Sequence, residues 1–62
     1  MSSTLVTISK DLRGIYWAHK IGKHLASKTH AEAKASAKQL FDAAGGEGKA
    51  EIRDLTGEAN DD

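Results

Sequence analysis

Thirteen large apolar side chains must build whatever core this chain has: five Leu, four Ile, and single copies of Val6, Phe41, Trp17 and Tyr16. Alanine contributes a further ten apolar residues, which fill little volume. Spread over 62 residues, that stock makes one small domain. A chain of this length buries only about 60% of the surface its unfolded form exposes, so domains of this size lean on a disulfide, a metal or a partner subunit. Cysteine is absent, which removes disulfides and thiolate metal sites. Self-association is the remaining staple, and a homodimer is the expected partner arrangement.

The formal net charge is zero, yet the charges are sorted. Residues 1–40 hold seven Lys and Arg against two Asp and Glu; residues 41–62 hold two against seven. Such sorting fits either a domain that neutralises itself or a polyanion-binding half with an acidic end. Apolar runs are only a few residues long, against the ~18 that a membrane span requires. Met1-Ser2-Ser3-Thr4 carries neither a basic nor an apolar leader region. The expectation is therefore a cytoplasmic protein with no membrane contact.

Thr4-Leu5-Val6-Thr7-Ile8-Ser9 is rich in β-branched residues and alternates, which makes a strand with Val6 and Ile8 on one face. Asp11-Leu12-Arg13-Gly14 breaks it, and Ile15-Tyr16-Trp17-Ala18-His19 reads as a second strand. Gly22 marks a hairpin turn of two or three residues, and His24-Leu25-Ala26-Ser27-Lys28 completes the hairpin. Thr29-His30-Ala31-Glu32 is a capping box, in which the Thr29 hydroxyl accepts from the Glu32 amide and the Glu32 carboxylate reaches back. Ala33, Ala37, Leu40, Phe41 and Ala44 then form one helical stripe with Leu40 and Phe41 as its anchors, and Gly45-Gly46 stops the helix. Lys49-Ala50-Glu51-Ile52-Arg53-Asp54-Leu55 reads as a fourth strand with Ile52 inward. The fold class is thus α+β, a small β-β-β-α-β domain over residues 1–57: a mostly antiparallel sheet with one helix on one face. Residues 58–62 have the composition of an acidic flexible tail. A right-handed crossover through the helix sets the fourth strand parallel to the first, giving sheet order 3-2-1-4. The alternative is that the fourth strand pairs with another chain.

Trp17 in the second strand, Gly22 at the hairpin, Thr29-His30-Ala31-Glu32-Ala33 opening the helix, and then Ala37 and Leu40 form a pattern. With Gly46-Glu47, Ile52 and Gly57, it resembles the bacterial domain-of-unknown-function family numbered 2188, over roughly residues 4 to 58. The resemblance implies a small cytoplasmic bacterial protein and supplies no catalytic residue.

Chemistry-bearing constellations are sparse. His19 and His24 would face each other across the hairpin, but no third ligand accompanies them, so they read as two polar residues and no metal is expected. No serine sits in a nucleophile elbow, and Gly45-Gly46-Glu47-Gly48 follows a helix instead of opening one. The reading is non-enzymatic, with no cofactor and no small-molecule substrate. Its leading form is a self-associating protein-interaction module. The alternative is nucleic-acid binding by the hairpin, whose candidate residues are Tyr16, Trp17, His19, Lys20, Lys23, His24 and Lys28. Lysine would serve phosphate there while an aromatic ring stacks on a base. Trp17 itself, the largest side chain, reads first as core filler.

Overall fold

The computed structural model describes residues 3–58. Its elements are β1 (Thr4–Lys10), β2 (Tyr16–Lys20), β3 (Lys23–Ser27), α1 (His30–Ala43) and β4 (Ala50–Asp54). They form the expected α+β domain: a four-stranded mixed sheet of order β3-β2-β1-β4 with the helix on one face. β1 pairs antiparallel with β2 and parallel with β4, so one edge of the fourth strand pairs within its own chain and the other is the edge of the sheet. Lys20 pairs with Lys23, which leaves a two-residue connection, Ile21-Gly22, with Gly22 at φ +83°.

The helix starts where the side-chain chemistry allows it. The Thr29 hydroxyl accepts from the Glu32 amide at 3.1 Å, as the capping box requires. The return bond differs: the Glu32 carboxylate accepts from the Lys28 amide, one residue before the cap, at 3.1 Å. At the far end the Gly46 amide donates to the Phe41 carbonyl and the Gly45 amide to the Asp42 carbonyl, a Schellman closure. Gly45 is needed there twice over. Its φ is +112°, and a Cβ would stand 2.9 Å from the Lys49 Cβ.

The core is small and centres on Val6, Ile8, Tyr16, Ala18, Ala33, Ala37 and Leu40, with Leu25 partly buried against it. Ala33 and Ala37 present almost no side chain, so the helix lies close over β1 and β2. Three expectations need correction. Trp17 is not core filler: strand alternation sends Tyr16 and Ala18 under the helix and turns Trp17 to the opposite, uncovered face. Phe41 is half-buried and outside the core, because it lies one residue round the helix from Leu40, towards β4. Ile52 does lie on the helix side of the sheet, in register with Val6, yet it stays 40% exposed because β4 is the sheet edge.

Candidate functional site: an uncovered sheet face and an apolar edge

The uncovered face is ordered by one carboxylate. Asp11, in the β1–β2 connection, accepts from the Arg13 and Ile15 amides, from the Trp17 indole at 3.1 Å and from the Arg13 guanidinium at 3.2 Å. The Ile15 amide, the Trp17 indole and the two Arg13 groups hold its carboxyl down at about 2, against the desolvation that pushes it up. Trp17 is therefore held by its indole N–H to a group that stays ionised. Its cross-strand neighbours, Ser9 and Ala26, are both small. The next row on the same face runs Arg53, Thr7, His19, His24 across all four strands. The two imidazoles stack with centroids 5.6 Å apart, and His19 Nε2 lies 3.4 Å from the Ser9 hydroxyl. Thr7, flanked by Arg53 and His19, is buried although no helix covers that face.

The seven hairpin residues expected to act together are divided by the pleat. Trp17, His19 and His24 share the uncovered face, whereas Tyr16 is in the core beneath the helix. Lys20 and Lys23 face each other at the hairpin end, and Lys28 lies beyond β3, its amide spent on Glu32. Arg53 joins the His19 row from β4, a contribution invisible until that strand's register is known. Among the described residues no three His, Asp or Glu side chains gather to hold a metal.

A second constellation lies at the N-terminal end of α1. The Asp54 carboxylate accepts from His30 Nε2 at 2.7 Å and from the Thr56 amide and hydroxyl at 2.8 and 2.6 Å. An ionised carboxylate only accepts, so Nε2 of His30 carries the proton. Desolvation pushes the Asp54 carboxyl up, but the Thr56 and His30 bonds outweigh it and hold the group below its ordinary value. Next to it the Tyr16 hydroxyl donates to Glu58 at 2.6 Å, while Lys10 approaches Glu58 at 3.8 Å and the Tyr16 ring at 5.1 Å. The hydrogen bond to Glu58 is the main reason the Tyr16 phenol is pushed above its ordinary value. This seam ties the segment after β4 across the ends of β1, β2 and α1. Glu58 belongs to it; the rest of the expected acidic tail, 59–62, lies outside the described residues.

The third feature is the outer side of β4. Ile8, Phe41, Ile52 and Asp54, with Lys34 and Lys38 from the helix, line a shallow, mostly apolar groove there. Leu55, just past the strand, is 63% exposed. β3 and β4 are the two outer strands of the sheet, but Leu25 of β3 packs inward on the core. Among the described residues no helix is long and apolar enough to cross a membrane.

No protein-family model, no curated protein and no solved structure matches this chain.

Proposed function

We propose that this chain is a cytoplasmic, non-enzymatic interaction module that works as a homodimer, with β4 as its contact edge. One observation carries the reading. β4 is an outer strand, and the apolar residues beside its unpaired edge, Ile52, Leu55 and Phe41, are left partly or largely open. Outer strands of monomeric proteins are normally blunted, and exposed apolar residues along such an edge mark a pairing surface. The small core supports the same reading, since a second copy would cover side chains that 62 residues cannot cover alone.

Nucleic-acid binding is the second reading, favoured by one observation. No carboxylate occurs between Asp11 and Glu32, while Arg13, Lys20, Lys23 and Lys28 do, and the oriented Trp17 stands on the same hairpin. Sedimentation velocity separates the two. The module reading expects a mass that rises from 6.6 kDa towards twice that value over the micromolar range. A single-stranded oligonucleotide added to the cell should not change the boundary. A mass fixed at 6.6 kDa, with the oligonucleotide co-sedimenting at low salt, would replace the first reading by the second.

A further inference from the structure

The β4 edge has a self-complementary sequence, and this specifies how two copies would meet. The Thr4 amide donates to the Lys49 carbonyl and the Leu55 amide to the Ile8 carbonyl, so the odd-numbered residues of β4 turn their backbone groups to β1. The backbone groups of Ile52 and Asp54 consequently point outward. Two outward-facing edges can pair antiparallel about a two-fold axis in only a few registers. Centring on Arg53 sets Arg53 against its own copy, centring on Glu51 sets Glu51 against itself, and centring on Asp54 sets two carboxylates face to face. The Ala50 amide is already given to the Gly46 carbonyl, which closes a register centred there. Of the other β4 positions only Ile52 avoids like charges: Ile52 meets the partner's Ile52, and each Glu51 meets the partner's Arg53.

We infer that two copies of this chain pair antiparallel through β4 with the two-fold axis at Ile52, joining the two sheets into one of eight strands. This rests on the self-association reading and adds the partner, the strand and the register. In this arrangement the Ile52 pair exchanges both backbone hydrogen bonds, with Cα atoms about 5.5 Å apart. Glu51 and the partner's Arg53 form the closer pair type, with Cα atoms about 4.5 Å apart, on the uncovered face. Both side chains are exposed, and they already lie 3.5 Å apart within one chain, so each carboxylate would be bracketed by two guanidinium groups. On the helix side the two Ile52 side chains would lie side by side over the groove that Phe41 and Ile8 line. The same Ala50 bond limits pairing at that end and keeps the contact short. A short contact of this kind fits weak, micromolar association.

The test is a charge exchange, read by sedimentation equilibrium. Glu51→Arg alone or Arg53→Glu alone creates two like-charge contacts across the axis and should weaken dimerisation by about tenfold or more. The double variant, Glu51→Arg with Arg53→Glu, restores both opposite-charge contacts and should return affinity to within a few fold of the parent. Circular dichroism of each variant confirms folding, which these exposed positions should not disturb. In a further variant, Ile52→Cys, the new thiols should cross-link copies on oxidation, because the native chain has no cysteine to compete. A parent chain that stays monomeric refutes self-association itself. A dimer indifferent to the single reversals, or not rescued by the double one, refutes this register and leaves self-association standing.

Discussion

Leu40→Ala is expected to unfold the domain or bring it to the edge of unfolding at room temperature. Leu40 is 4% exposed and is the only large side chain that α1 sends into the core, since the other buried apolar positions on that face are Ala33 and Ala37. Removing a buried leucine costs about 2–5 kcal/mol, depending on how far the site can collapse. Close packing of the two alanines leaves the helix little room to settle further. At about 0.05–0.15 kcal/mol per residue, a chain of this length has roughly 3–9 kcal/mol in total. Phe41→Ala is the natural control. The sequence makes Phe41 an equal anchor, but its half-buried place beside the groove lowers the expected cost to about 1–2 kcal/mol. Chemical denaturation should rank Leu40→Ala well below Phe41→Ala. Equal losses would mean that the core extends into the groove.

Asp54→Ala carries the second large effect, and it has a pH signature. The substitution removes three hydrogen bonds and leaves Nε2 of His30, whose side chain is 9% exposed, without its acceptor. Losing one partner of such a pair costs about 3 kcal/mol at neutral pH. Because the folded carboxyl titrates below its unfolded value of about 3.9, its contribution is fully present above pH ~4 and is lost as pH falls through the folded value. Asp11, held at about 2, adds a loss in the same acid window. Thermal melts of the parent should therefore fall steeply between about pH 4 and pH 2. Those of Asp54→Ala should start lower and fall less. Parallel curves would show that Asp54 makes no net contribution through its ionised form.

Local chemistry made much of this architecture legible in advance. The capping box placed the start of α1, the alternation of Val6 and Ile8 placed β1, and the handedness of crossovers placed β4 beside β1. The facing of Trp17 was obscured by its neighbour, because two adjacent aromatics leave the buried parity of a strand open. A signal was nonetheless present: Tyr16 shares its parity with Ala18, whereas Trp17 shares its own with the polar His19. The polar seam gave no such signal. His30 and Asp54 are 24 residues apart and Tyr16 and Glu58 are 42 apart, so only the folded register brings them together. The hairpin constellation was only partly realised for the same reason, since spacing along a strand fixes a residue's face but not what the neighbouring strands add. Arg53 reaches the His19 row from β4, two strands away from β2 with β1 between them.

The most direct measurement of the β4 edge as a pairing surface is the amide hydrogen exchange of Ile52 as a function of protein concentration. Its N–H points away from β1, whereas the neighbouring Arg53 amide faces β1 in every state of assembly and serves as the internal reference. Pairing about Ile52 predicts that Ile52 exchange slows progressively across the concentrations over which the mass doubles, while amides on the outer edge of β3 do not respond. Ile52 exchange that stays rapid and constant over that range, or protection that appears on β3 instead, would contradict it.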